Sequence, residues 1–355
     1  MNKRKEWASS LLHPVMALLF GLLVGAVAVL LVGASVGETY AEMWKGAFGS
    51  FYYVTNTLTR ATPIMLIALG LSMAFRAGFF NMGAEGQMVL GAVSAALTAL
   101  YMPGPGWLKL IAAILAGVAA GGLWAAFAGW LDAKYKINLL ISTLLLNYVA
   151  IYFAGYLVAK PFKDSSGSAA LAQTPMIEKG AWLPKLFSGS SLHAGFLFAA
   201  VAVVLLFWIV RRTVFGYNLT MTGSNGQFAS YGGVRRVPVM LAGMLISGGL
   251  AGLAGTVEVL GMQYRYLDGA LVTPGYAWSG LMAALLANSN PIGAGLASIL
   301  LAALQTGAMG VERNTEVPLE IASVIQAVIV VFVSAKFGYS FIKRRKARND
   351  RGSAV

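Results

Sequence analysis

The sequence contains no cysteine, which excludes disulfides, thiolate metal sites and cysteine nucleophiles. Charge is scarce as well: 11% of the 355 residues are charged, where a soluble domain carries about 25%. Only two histidines occur, His13 and His193, with neither metal-ligand company nor the partners of a Ser-His-Asp arrangement. No G-x-x-x-x-G-K-[ST] segment is present, so the chain has no phosphate loop for ATP. The apolar segments also lack the string of carboxylates that a proton relay would need. These absences point away from an enzyme and predict no cofactor or metal in the chain itself.

What is abundant is apolar surface. Hydrophobic residues make up 58% of the chain and the mean hydropathy is +0.72. No soluble fold of this length needs that much, so the chain reads as a polytopic membrane protein. After Met1-Asn2-Lys3-Arg4-Lys5, an apolar stretch runs from Leu11 to Gly37. A signal peptide has an apolar region of only about 7–15 residues, so this stretch is expected to be an uncleaved first helix. Ten apolar segments lie near 12–36, 58–75, 84–102, 107–131, 138–159, 193–210, 237–261, 274–288, 292–310 and 317–335. The expected fold is an all-α integral membrane helix bundle of about ten transmembrane segments, some discontinuous, forming one domain over residues 1–355. Glycine pairs four apart (Gly21 and Gly25, Gly117 and Gly121, Gly248 and Gly252) suit close helix packing, although chance alone would place some of the 42 glycines this way.

The formal net charge of +13 invites a nucleic-acid partner, but the positions of the charges argue otherwise. With the N-terminus inside and all ten segments crossing, 17 of the 26 basic residues fall inside, against four of the 13 acidic ones. The whole basic excess then acts as orientation signal, with both termini cytoplasmic. The C-terminal KRRKAR run, 343–348, reads as a cytoplasmic stop-transfer anchor. Residues 161–191 become an extracellular loop, expected to pack through Trp182, Leu183 and Phe187.

The same topology places residues 211–238 in the cytoplasm, framed by Arg211 and Arg212 at one end and Arg235 and Arg236 at the other. Thr222, Ser224 and Asn225 are candidate helix caps, and Gly232 and Gly233 a stop. A helix of about two turns between them would carry Phe228 and Tyr231 on one face, as a docking knob. A solvated loop with a chance helical turn is the alternative.

Two apolar segments read as too short for simple spans. Fifteen residues separate Arg60 from Arg76, which as a helix reach about 22 Å against a hydrocarbon core of about 30 Å. The polar stretch 77–87 follows, with Asn81, Glu85 and Gln87; later, Pro274-Gly275 and Asn288 to Pro291 bracket another short run. Paired interruptions of this kind mark a substrate path, or else two cytoplasmic turns. Asn147 and Glu258 are costly in lipid and would normally face the bundle interior. Asn147 lies deep in its segment, as interhelical glue or as cavity lining, whereas Glu258 has the alternative of reaching headgroups from near a segment end.

Four stretches resemble the permease subunits of ATP-binding-cassette importers of the ribose and branched-chain amino acid type. They are RAGFFNMGAEGQMVLGA (76–92), STLLLNYVAIYFAGYLVAKPFKD (142–164), GSNGQFASYGGV (223–234) and YAWSGLMAALLANSNPIGAGLASILLAAL (276–304). Within that type the chain is most similar to permeases of nucleoside importers of the guanosine type, which work with a basic-membrane-protein-like binding lipoprotein. It departs at Gly226, where relatives often have Pro, and at Phe228 and Gly232, where they often have Ala.

The resemblance implies a bacterial cell-membrane protein, moving nucleosides by alternating access. A cytoplasmic ATPase would bind the ATP and Mg, a second homologous permease would complete a heterodimer, and an extracellular lipoprotein would deliver substrate. Gly223, Asn225, Phe228, Ala229, Tyr231 and Gly233 are the expected coupling residues. Asn81, Glu85, Gln87 and Asn147 are expected along the substrate path. A simple-sugar importer of the ribose type and a self-sufficient secondary transporter or channel remain as alternatives.

Overall fold

The computed structural model describes residues 19–165 and 172–315, with isolated positions between 317 and 328. The N-terminal basic cluster, most of the tenth apolar segment and the run 343–348 lie outside the described residues, as do positions 166–171 of the long loop. Among the described residues the chain is helix and loop, with two isolated β-bridges and no strand. Six helices are long and apolar enough to cross a membrane, as a membrane helix bundle requires. They are α3 (Phe51–Arg76), α5 (Gly106–Tyr135), α6 (Leu139–Ala159), α7 (Gly195–Arg212), α10 (Arg236–Glu258, prolonged to Gln263 by a π-helical turn) and α12 (Pro291–Asn314). The chain divides into two compact units, Thr55–Ala302 and the flanking Met1–Val54 with Ala303–Val355.

In the larger unit α3 is the central helix. Its stretch from Ala61 to Ala74 is buried without interruption, so every face meets protein. Such a helix is expected to be apolar all round rather than amphipathic, and this one is. The expected short segment between Arg60 and Arg76 is therefore corrected: the helix has 26 residues, about 39 Å, and Arg60 lies inside it. Arg60 is accommodated there because its guanidinium lies 5.9 Å from the Tyr276 ring centre and close to the Glu258 carboxylate. Arg76 ends the helix and donates to the Ser289 carbonyl at 2.9 Å. Gly78, at φ +79°, closes it with two backbone bonds, Phe79 N–H to Ala74 O and Gly78 N–H to Phe75 O.

Around α3, helix α4 (Ala84–Tyr101) packs against α5, α6 and α10. Glycine makes the tightest approach possible. A Cβ on Gly252 would lie 2.3 Å from the Gly117 carbonyl oxygen, and one on Gly121 2.4 Å from that of Gly248. Two of the three expected glycine pairs thus face each other, letting α5 and α10 touch backbone to backbone. The later short segment is short indeed: α11 (Tyr276–Leu286) has 11 residues, and Asn288 and Ser289 turn after it at positive φ.

The long loop seals the π-helical end of α10. Ile177 N–H bonds Tyr264 O at 2.8 Å, Thr174 N–H bonds Tyr266 O at 3.0 Å and Leu183 N–H bonds Leu260 O at 2.9 Å. Trp182 stacks on Tyr264 and Leu183 is buried, while Phe187 is exposed. His193 is buried beneath this loop, where a Cβ on Gly261 would lie 2.6 Å from the imidazole. In the smaller unit, α1 (Leu19–Leu31) is followed by α2 (Val36–Phe48), capped by the Ser35 hydroxyl. Gly46 meets the backbone of Gly310 there, and Glu42 accepts from Asn314 at 2.8 Å.

Candidate functional site

Two places gather the polar residues that the sequence singles out. The first is the turn between α3 and α4. Asn81 is fully buried; its amide nitrogen donates to Gln87 Oε1 at 2.9 Å and to Ser247 Oγ at 3.0 Å. Its oxygen accepts from Gln87 Nε2 and from the Gly83 N–H, both at 2.9 Å. Asn147 reaches across from α6, accepting from Gly86 N–H at 2.8 Å and donating to Met82 O at 2.8 Å. Buried non-helical backbone has to be satisfied by protein, and these amides do so. Both offered uses of Asn147 are realised: it ties α6 to the turn and also borders a pocket.

A small pocket, open on one side, is lined there by Leu71, Asn81, Glu85, Asn147, Trp278 and Leu281 among others. Glu85 sits half-buried in the first turn of α4, where a carboxylate is favoured by the helix dipole. Trp278, from α11, is half-exposed and contributes an indole to the same wall. The amides of Asn81, Gln87 and Asn147 are spent on the scaffold, and Gln87 does not line the pocket. Glu85 and Trp278 are the carboxylate and the aromatic ring in the pocket lining. Trp278 is not among the residues expected along the path, although it lies just after the Pro274-Gly275 break and within the stretch 276–304.

The second place is the arginine-framed loop, which folds as two helices rather than one: α8 (Val214–Ser224) and α9 (Gly226–Tyr231). Asn225 separates them, and its side chain caps α9 by accepting from Gln227 N–H at 3.1 Å and Phe228 N–H at 3.0 Å. Thr222 caps nothing, its hydroxyl being bonded to Asn218 O. Gly233, at φ +82°, ends α9, with Val234 N–H on Ala229 O and Gly233 N–H on Ser230 O. Ala229 is buried at 4% exposure, whereas Phe228 stands at 60% and Tyr231 at 92%. Two aromatic rings thus project from a firmly capped turn. Gly223 does something else. A Cβ there would lie 2.1 Å from the Arg76 carbonyl oxygen, so glycine lets α8 abut the end of the central helix α3.

A third cluster was not legible in the sequence. Glu258 does not reach outward; it is 3% exposed, hydrogen-bonded with the Tyr276 hydroxyl and near Arg60 and Lys185. Of the two placements expected for it, the bundle interior holds and the headgroup contact does not. The pairing partners lie on α3 and α11, too distant in sequence for any local pattern to reveal.

Residues 53–334 match the family described as branched-chain amino acid transport system / permease component. The guanosine ABC transporter permease NupP of Bacillus subtilis is 33% identical over 94% of this chain and 96% of its own length. The glucose ABC transporter permease TsgB13 of Haloferax volcanii is also 33% identical, over 90% of this chain and 86% of its own. The nucleoside ABC transporter permease NupB of Lactococcus lactis is 30% identical over 92% and 91%. Bacillus subtilis has a second similar permease, NupQ, 26% identical over 68% of this chain and 76% of its own. A family match covering most of the chain, together with an all-helical architecture built on long apolar helices, makes this chain a member of the branched-chain amino acid transport system permease family.

Proposed function

We propose that the chain is the membrane-spanning permease of an ABC importer that carries nucleosides across a bacterial cytoplasmic membrane by ATP-driven alternating access. The observation that carries the reading is similarity along nearly the whole length to permeases named for guanosine and nucleoside transport. In this reading the ten apolar segments all cross and both termini are cytoplasmic, an arrangement that puts the basic excess inside. ATP hydrolysis belongs to a separate cytoplasmic ATPase, gripped through Phe228 and Tyr231, while Gly223 passes its motion to α3. A second permease completes the pore, in keeping with the two guanosine permeases of Bacillus subtilis. A binding lipoprotein delivers substrate from outside. The pocket between Glu85 and Trp278 lies on the path, with a carboxylate for sugar hydroxyls and a ring for the base.

A sugar substrate is the second reading, favoured by the equal identity to the glucose permease TsgB13. Uptake of labelled guanosine by cells carrying the complete importer separates the two. A hundredfold excess of unlabelled nucleoside should abolish uptake and the same excess of glucose or ribose should leave it intact. No guanosine uptake, with accumulation of labelled glucose or ribose by the same cells, would establish the sugar reading.

A further inference from the structure

Helix α6 shows an exposed face unlike those of its neighbours. On α5 and α7 the middle of the exposed face is aliphatic, as at Leu115, Leu123, Val201 and Val204, and tryptophans stand near the ends at Trp107, Trp130 and Trp208. That is the pattern of helices facing lipid, with aromatic belts at the interfaces. On α6 the exposed Leu145, Val149 and Phe153 are joined by a stripe of Tyr148, Tyr152 and Tyr156, at 56%, 74% and 60% exposure. They recur every four residues and therefore share one face. Tyr156 is close enough to the helix end, at Ala159, for an interfacial belt. Tyr148 is not: it lies about 14 Å from one end of α6 and about 16 Å from the other. A phenol hydroxyl at that depth has no headgroup within reach and no water if lipid surrounds it.

A carboxylate stands beside the same stripe. A Cβ on Gly155 would lie 3.2 Å from Asp268 Oδ2, so glycine admits the Asp268 side chain against α6 between Tyr152 and Tyr156 along the chain. Asp268 is exposed, and its backbone is fixed by an N–H bond to Ala172 O at 3.0 Å. Three aromatic faces with hydroxyl edges, ending at a carboxylate, match a ligand with a planar ring system and a polyhydroxyl group. Base-on-aromatic stacking tolerates any base, and a carboxylate accepts hydrogen bonds from neighbouring hydroxyls.

We propose that the tyrosine stripe of α6 lines the aqueous path and forms, with Asp268, a stacking platform for the nucleoside. The platform rests on the nucleoside reading given above. Because the chain has no cysteine, single replacements can be probed without altering the background. Tyr152→Cys, Tyr148→Cys and, as a lipid-facing control, Val204→Cys would be placed in the assembled importer in proteoliposomes. Each is treated with a charged, membrane-impermeant methanethiosulfonate, with and without saturating guanosine, while wild-type guanosine uptake is measured in parallel. The tyrosine positions should react at least 10-fold faster than Val204→Cys, and guanosine should slow them at least 10-fold. Labelling no faster than at Val204→Cys would put the stripe against lipid or a partner protein and overturn the proposal. Fast labelling that guanosine does not slow, with wild-type uptake intact, would leave a wet surface and no platform. Absent wild-type uptake would sink the nucleoside reading and the platform together. Asp268→Asn adds an independent arm: it should raise the KM for guanosine about 10-fold, and an unchanged KM would remove the carboxylate from the platform.

Discussion

At Glu258 a carboxylate inside an apolar helix is held by the Tyr276 hydroxyl, with Arg60 nearby. Removing one partner of such a buried arrangement leaves the others uncompensated, which costs about 3–5 kcal/mol. Glu258→Ala should therefore lower the melting temperature of the purified permease sharply. Tyr276→Phe removes one hydrogen bond and should cost about 1 kcal/mol. Equal melts for the two variants would mean that the carboxylate is not held by this cluster. His193 supplies a pH dependence of known sign. Burial, reinforced by nearby Lys185, lowers its pKa from 6.5 to about 4. Its Nδ1 accepts the Gly195 N–H at 3.2 Å, which requires the neutral ring. The unfolded chain binds this proton below pH 6.5 and the folded chain only near pH 4, so stability should fall as pH drops through that window. The loss amounts to about 3 kcal/mol. Melts recorded at pH 7.5 and 4.5 should differ for the wild type and differ less for His193→Gln; equal slopes would take His193 out of the account.

At the scale of elements, the apolar runs predict the helices well, because a helix in lipid must satisfy its own backbone and be apolar where it meets chains. What escapes such reading is interaction at long range. Arg60 reads as the boundary of a segment because a lone cation normally ends an apolar run; its partners, Glu258 and Tyr276, lie some 200 residues away. Residues 214–224 read as loop because Gly216, two threonines and Asn218 are weak helix formers. Packing overrides propensity there, Gly216 abutting the Ile209 carbonyl and Gly223 that of Arg76. The cap at Asn225 and the stop at Gly233 were legible, since both rest on local backbone chemistry. Phe228 and Tyr231 project from this capped turn. Aromatic anchors commonly contribute about 2 kcal/mol or more to an interface when truncated. Phe228→Ala with Tyr231→Ala should then weaken ATPase association at least about 30-fold. The melt of the permease should hardly move, because both rings are exposed. Undiminished co-purification of the ATPase would show that α9 is not the grip, and a collapsed melt would make the aromatics structural.

For the whole molecule, orientation is the first consequence that can be checked. Lys179 is exposed on the loop that seals α10, and the topology proposed above puts that loop outside the cell. Lys179→Cys should react with an impermeant maleimide on intact cells while Ser224→Cys, on the ATPase side, stays protected. The opposite pattern would invert the topology. The central claim is that the chain moves nucleosides with energy supplied by a separate ATPase. Its most direct test is accumulation of labelled guanosine by proteoliposomes holding the permeases and ATPase, with the binding protein added outside and ATP trapped inside. Accumulation should require ATP and hydrolysable Mg-nucleotide, and should be indifferent to a protonophore. Uptake that persists with ATP withheld and collapses when the proton gradient is discharged would contradict the account.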